Sequence, residues 1–131
     1  KRILGSYSKK IFILGSKDGS ANFIKLALNL NIALIAISLA ESIVFVKKSK
    51  IDPAIFLEIL NSTYFKTGLS EIKGPKMIKN NFEPKFFLKN MLKDVHLLND
   101  CARQNGITLS FASLAEQYFR IASNRGYSEL D

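Results

Sequence analysis

Apolar residues divide the chain into one long hydrophobic run and several shorter periodic segments. From about Ser20 to Lys48 most positions are apolar, which is typical of a central helix, buried on most faces, around which others pack. Farther along, apolar residues recur every three or four positions, which predicts amphipathic helices. These begin at Asp52-Pro53, form two short pieces within 63–82 broken at Gly74-Pro75, and continue at about 86–104 and 110–125. The pattern predicts an all-α bundle of about six helices.

A short segment before these helices has the composition of a β-strand. Residues 10–14 read KIFIL and are followed by Gly15. Because a single strand cannot form a sheet, we expect an orphan strand whose neighbours precede Lys1. The chain does not begin with methionine, so we expect a fragment or a processed form, and no signal peptide is predicted. The predicted division is a tail and linker at 1–18 and a helical domain at 19–131.

Three polar residues, Asn22, Lys25 and Asn29, interrupt the apolar run near its start. They are three and four positions apart, so they lie on one stripe of a helix with 3.6 residues per turn. A buried polar stripe costs free energy unless its groups are hydrogen-bonded or used. The stripe is therefore a candidate site. The simpler alternative is a lysine that extends to solvent beside an amide at a helix start.

The chain is basic, with 19 lysines and arginines, 11 acidic residues and a formal net charge of +8. Seven of the lysines, against two glutamates, lie between Lys66 and Lys93. A solvated face explains such a stretch, and a face for an anionic ligand is the more specific alternative. A basic helical module that binds nucleic acid is the alternative function. The lysines are scattered, without a helix-turn-helix pattern or stacking aromatic residues, which argues against it.

Cys101 and His96 are the single cysteine and the single histidine of the sequence. One cysteine excludes an internal disulfide, and the pair argues against a Cys/His metal site, so no metal is predicted. A lone thiol is compatible with a reducing, cytoplasmic compartment. The apolar run at 21–46 is long enough to span a bilayer. It contains Lys25 and Glu41, however, so a membrane helix is not predicted.

Several segments resemble one family in their order and spacing. GSANFIKLALN (19–29) resembles the glycine-rich turn, lysine and asparagine of the C-terminal helical domain of the β-hydroxyacid dehydrogenases, which include 3-hydroxyisobutyrate dehydrogenase and are related to 6-phosphogluconate dehydrogenase. NNFEPKFFLKNMLKDVHLL (80–98) is similar to the family's Phe-x-Pro loop and Lys-Asp pair. The resemblance covers residues 11–131. It departs at Ala21 and Leu28, where many members have glycine and asparagine.

The resemblance implies an NAD(P)-dependent oxidoreductase that interconverts a small 3-hydroxy acid and its semialdehyde or keto form by hydride transfer. Lys25 takes the position of the catalytic proton donor and acceptor, and Asn29 that of a substrate-binding amide. Lys93 takes a position beside the nicotinamide end of NAD or NADP. Asn22 borders the stripe and is a candidate substrate-pocket residue. Partial burial of Lys25 beside Phe23 and its neighbours is expected to help it release a proton.

The resemblance also implies partners. A Rossmann domain precedes such a helical domain and provides most of the dinucleotide site, so residues 11–14 would be its last strand and the isolated chain would be inactive. The chain would stop where the family's closing segment begins. A homodimer or tetramer, formed through the helical domain, is expected. Asp94, the second residue of the Lys-Asp pair, is expected to support its helix rather than to react.

Overall fold

The structure, a computed structural model, describes residues 10–15 and 18–131. Its five α-helices are α1 (Ser20–Lys48), α2 (Pro53–Asn61), α3 (Gly68–Ile78), α4 (Leu88–Gln104) and α5 (Ser110–Ala122). A π-helical segment, Ser123–Tyr127, follows α5 and bends at Gly126, whose φ is +89°. The described residues include no strand, so the predicted all-α class is confirmed.

The long helix α1 is central, as predicted, and contacts each of the other four α-helices. One core cluster joins Ala33 to α4 and α5, and a second joins Leu39 and Ile43 to Leu57 of α2. The prediction that α1 is buried on most faces is wrong for this chain. Leu28 is 59% exposed and Phe45 is 72% exposed, because the four shorter helices cover only part of its surface.

The segment between α2 and α4 differs from its prediction. Instead of two pieces broken at Gly74-Pro75 it forms the single helix α3, with Pro75 inside it, so the described residues form five α-helices rather than six. A capping box between Thr67 and Ser70 fixes the first turn. Gly74 lies so close to α2 that a Cβ atom there would be 2.5 Å from Cδ1 of Leu57. The glycine is therefore a contact point between helices and not a helix end.

The predicted orphan strand is not formed. Residues 10–14 adopt no regular secondary structure, and the side chains of Phe12 and Ile13 are 71% and 72% exposed. A strand requires a neighbouring strand for its hydrogen bonds, and the described part of the chain offers none. The rest of the predicted tail, residues 1–9 and 16–17, lies outside the described residues. The boundary at 18/19 stays a prediction.

Helix α1 is long and apolar enough to cross a membrane by length and composition. The core helix of a bundle meets the same two criteria, so they do not distinguish the two cases. The contacts of α1 with four neighbouring helices, and the ion pair of its Lys25 with a buried residue of α4, are those of a bundle helix. We therefore describe α1 as the centre of the bundle.

Candidate active site

The carboxylate of Asp94 on α4 brings together two residues of the predicted polar stripe on α1. The Lys25 Nζ atom lies 3.2 Å from Asp94 Oδ2 and 3.4 Å from Oδ1. The Asn29 Nδ2 atom donates to Oδ2 at 2.7 Å. An ion pair and a hydrogen bond thus converge on one carboxylate, and they join residues that are 69 and 65 positions apart in the sequence.

Asp94 is buried because of its position on α4. It lies three residues after Met91 and directly before Val95, both of which belong to the core that α4 forms with α1. Its side chain is 4% exposed. A buried carboxylate requires compensating charge and hydrogen bonds, and Lys25 and Asn29 provide them. The prediction of a supporting role for Asp94 did not include these contacts.

Lys25 itself is not buried in this chain. Its side chain is 59% exposed, and the neighbouring Phe23 and Ile24 are about half exposed. The lysine is therefore more exposed among the described residues than the sequence pattern suggested, although Asp94 of α4 contacts its amine. The exposed amine keeps one side free for contact with a ligand.

The two remaining predicted site residues lie close by in the sequence, but their side chains form no hydrogen bond or ion pair with this cluster. Asn22 is exposed, and its side chain makes no hydrogen bond with any described residue. Lys93 is exposed and precedes Asp94, and its amine forms no ion pair within the described part of the chain. The structure therefore joins two of the four predicted residues, Lys25 and Asn29, through Asp94, which was not one of the four. An acidic residue on the apolar stripe of α4 was the sequence signal for it.

A cavity of about 480 Å³ begins at Asn29 and continues between α1, α3, α4 and α5. Most of its wall is apolar. Its polar contributions include Lys73, Lys76 and Asp131, and the Asp131 carboxylate pairs with Lys73 and lies 3.9 Å from the amine of Lys76. The polar cluster thus stands at one end of an apolar chamber.

A family model described as "NAD-binding of NADP-dependent 3-hydroxyisobutyrate dehydrogenase" matches residues 19–131. The chain belongs to the 3-hydroxyisobutyrate dehydrogenase family. The predicted family and its nicotinamide cofactor class are therefore confirmed.

Relatives within this family include an oxidoreductase of Bacillus subtilis, YfjR, which is 30% identical over the whole chain and 46% of its own length. The 2-hydroxy-3-oxopropionate reductase of Escherichia coli is 26% identical over 94% of the chain and 42% of its own length. A solved 3-hydroxyisobutyrate dehydrogenase of Salmonella typhimurium superposes with a TM-score of 0.93 at 19% identity, over 98% of the chain and 45% of that structure. The chain therefore spans about half the length of these relatives, and the structural likeness establishes the fold.

A second polar cluster of this family member lies between α4 and α5 and was not predicted. Glu116 accepts hydrogen bonds from Asn99 at 2.7 Å and Arg120 at 2.5 Å, and its Oε1 lies 3.0 Å from Nδ1 of His96. Burial raises the pKa of the Glu116 carboxyl. The contacts with Asn99, Arg120 and His96 outweigh it and lower that pKa to about 2.

The basic stretch does not form a continuous cationic face. Lys66 pairs with Glu71 at 2.8 Å, and Lys89 pairs with Glu129 at 2.7 Å. Lys73 and Lys76 face Asp131. Four of the seven lysines therefore face carboxylates, which weakens the alternative of a nucleic-acid surface.

Proposed function

We propose that residues 19–131 are the C-terminal domain of an NAD(P)-dependent oxidoreductase that interconverts a small 3-hydroxy acid and its semialdehyde or keto form. The observation that supports this proposal is the convergence of Lys25 and Asn29 on the buried Asp94. It places a cation and an amide one helical turn apart, with the exposed side of the lysine directed away from the bundle. The family membership supports the reaction class, and the geometry supports the roles proposed below for Lys25, Asn29 and Asp94.

Lys25 is the proposed acid–base group. When bound, the nicotinamide accepts or supplies the hydride. On oxidation the Lys25 amine takes the proton of the substrate hydroxyl, and on reduction the ammonium returns it to the carbonyl oxygen. Because a carboxylate only accepts hydrogen bonds, Asn29 must present its NH₂ group to Asp94. Its carbonyl oxygen is then available to accept a hydrogen bond from the substrate hydroxyl and hold it beside Lys25.

Asp94 is the proposed positioning residue. Its two oxygens bind Lys25 and Asn29 at once, so the spacing between the amine and the amide is fixed by one buried group. A lysine side chain has several rotatable bonds, and restraining it before the substrate arrives lowers the entropic cost of the reaction. The carboxylate also compensates the ammonium that forms on oxidation.

The cofactor is proposed to lie against the exposed side of this cluster. Lys93 fits an anionic or polar part of NAD or NADP, since its amine is exposed one residue before Asp94 and is unpaired within the described chain. Asn22 is proposed to border the substrate. No G-x-G-x-x-G segment occurs in the 131 residues, so we propose that an N-terminal Rossmann domain carries the phosphate-binding turn.

Self-association through the helical domain is a further part of the proposal. The exposed apolar residues of α1 include Leu28, Val44 and Phe45. Such side chains on a long helix favour burial in a homodimer or tetramer. Light scattering of the full-length protein at tens of micromolar is expected to give at least a dimer, and a monomer would contradict this part. The free thiol of Cys101 supports a cytoplasmic location.

Turnover by the full-length protein tests the function. With NAD or NADP it is expected to oxidise 3-hydroxyisobutyrate or a smaller 3-hydroxy acid, measured by nicotinamide absorbance. Absence of turnover with every such acid and both cofactors would contradict the proposal.

The matched experiment uses residues 1–131 by themselves. This chain provides one wall of the cofactor site, so calorimetric titration is expected to show no binding of NAD or NADP at micromolar concentrations. Micromolar binding by this chain would show that the dinucleotide site is wrongly assigned to a separate domain.

A further inference from the structure

The cavity beside Asn29 owes its space to small residues on α1. Ala33, Ala36 and Ala40 are three and four positions apart and line the same wall. Between Asn29 and Ala40 the helix rises by about 16 Å, at about 1.5 Å per residue. A volume of about 480 Å³ lies in the range of ligand pockets and far above that of an ordinary packing defect.

One end of the cavity coincides with the proposed substrate site. Asn29 belongs both to the cluster around Asp94 and to the cavity wall, and Met91 joins the same wall from α4. A substrate whose hydroxyl is held by Lys25 and Asn29 therefore has the cavity mouth one helical turn farther along α1. A substituent pointing along the helix would enter it.

The chemistry of the wall selects the substituent. Ile32, Ile37 and Phe119 are among the apolar side chains that form most of it. The charged side chains Lys73, Lys76 and Asp131 form one cluster in the wall, in which the Asp131 carboxylate pairs with Lys73 and lies 3.9 Å from the Lys76 amine. The apolar part of the wall favours a hydrocarbon group over a hydroxyl.

We propose that the cavity receives a hydrocarbon substituent on carbon 2 of the 3-hydroxy acid, so that the enzyme prefers substrates with a substituent longer than methyl. The inference rests on the proposed function, and the proton and hydride transfers are those given above. Each methylene buried from water is expected to raise kcat/KM about three- to fourfold until the chamber is full. The Escherichia coli relative, by contrast, is named for a short polar compound, 2-hydroxy-3-oxopropionate.

The first test is a substrate series for the full-length enzyme, from 3-hydroxypropanoate through its 2-methyl and 2-butyl derivatives. The 2-butyl acid is expected to exceed the 2-methyl acid at least tenfold in kcat/KM. Equal or falling kcat/KM along the series overturns the inference while leaving the proposed function intact, since that function requires only turnover of the small acids.

The second test fills the cavity. Ala36→Phe is expected to reduce the 2-butyl to 2-methyl preference at least tenfold, and the milder Ala40→Leu to reduce it severalfold. Ala54→Phe is the matched control, because Ala54 is exposed on α2 outside the cavity wall, and it should keep the preference. Thermal melts show whether each variant folds. If Ala36→Phe does not fold, the result for Ala40→Leu decides whether the inference holds. An unchanged preference for the 2-butyl acid in a folded cavity-filling variant overturns the inference.

A binding measurement separates failure of the site from failure of the chemistry. Calorimetric titration of the full-length protein with hexanoate and with propanoate is expected to show at least tenfold tighter binding of hexanoate. Ala40→Leu should remove most of that difference. If no hydroxy acid is turned over, the proposed function fails, and this titration still decides the cavity. Equal affinities for the two acids overturn the inference.

Discussion

Two carboxylates that lie between helices, Asp94 with a side chain 4% exposed and Glu116 with one 16% exposed, differ in their partners. Glu116 lies between α4 and α5, and its partners His96, Asn99 and Arg120 all belong to those two helices. Asp94 lies between α4 and α1, and one of its partners, Lys25, is 59% exposed. Both clusters include exposed donors, since the side chain of Arg120 is 53% exposed and that of His96 is 48% exposed. The Glu116 carboxylate has three partners, and the Asp94 carboxylate has two, one of which is a lysine.

This difference separates a structural polar cluster from a functional one. Three neighbours satisfy Glu116, so removing one of its contacts should reduce the free energy of unfolding. Asp94 holds Lys25 in place without enclosing it, so removing Lys25 should reduce reactivity more than stability. Both clusters carry exposed cationic side chains. The Lys25 amine can transfer a proton, whereas the Arg120 guanidinium does not release its proton and both ring nitrogens of His96 already face carboxylates.

The strongest test of the comparison is Lys25→Ala in the full-length enzyme. It is expected to lower kcat about 10²- to 10⁴-fold, or roughly 3 to 5 kcal/mol in the barrier, because acid–base catalysis is lost. Cofactor affinity should change little, since the amine meets the substrate oxygen. Steady-state kinetics and nicotinamide titration measure both quantities. Retention of more than a tenth of the wild-type kcat would refute the assignment.

Two companion variants sharpen this result. Lys25→Arg should restore little activity, because a guanidinium group does not release its proton near neutral pH. Asn29→Ala should cost less than Lys25→Ala and should act partly through KM. Thermal melts should show folded protein in both cases.

The next largest effect is expected for Asp94→Asn. The amide keeps the shape of the side chain but removes the charge that holds Lys25, so kcat should fall about tenfold to a hundredfold. Stability should change by about 1 kcal/mol or less, because the exposed lysine can turn to water. Kinetics beside a thermal melt test the two parts. A large loss of stability with unchanged kcat would make Asp94 a structural residue like Glu116.

The smallest effect is expected for Glu116→Gln, and it concerns stability. The folded-state pKa of the Glu116 carboxyl, about 2, lies below its ordinary value of 4.5. The contacts of the carboxylate therefore stabilise the fold above about pH 4.5, and this stabilisation is lost as the pH falls towards 2. The variant should lose about 1 to 2 kcal/mol at neutral pH with unchanged kcat.

Denaturant unfolding of wild type and variant between pH 2 and 7 measures this difference, which should shrink as the pH falls. A difference that is constant with pH would show that the ionised form of Glu116 is not what stabilises the fold. Altered kcat in the variant would link this cluster to the active site and remove the distinction.

The elements that the sequence predicted best are those with local causes. The bounds of α1, Ser20 and Lys48, follow from a glycine-bearing turn and the end of an apolar run. The start of α2 follows from Asp52, whose side chain accepts from the backbone N–H of Ala54 at 2.8 Å. The break predicted at Gly74-Pro75 failed because the contact of Gly74 with Leu57 is tertiary. A local pattern contains no information about that neighbour.

The contacts of the candidate site also have either local or tertiary causes, and the sequence predicted only the local ones. The pairing of Lys25 with Asn29 is visible as a spacing of four residues. Their meeting with Asp94 depends on how α4 packs against α1, which the spacing within either helix does not specify. The lysine is more exposed than the pattern suggested, because its burial depends on a covering surface that the described residues do not provide at that end of α1.

The unbroken length of α1 has a mechanical consequence. From Lys48 to Lys25 the helix rises by about 35 Å, so a rotation of only about 2° around its far end would displace the amine by about 1 Å. A misplacement of that size is enough to slow a reaction about a hundredfold. The position of Lys25 therefore depends on the rigidity of the whole helix α1. A substitution that weakens the distant packing of Ile43 against Leu57 would change turnover although neither residue contacts the substrate.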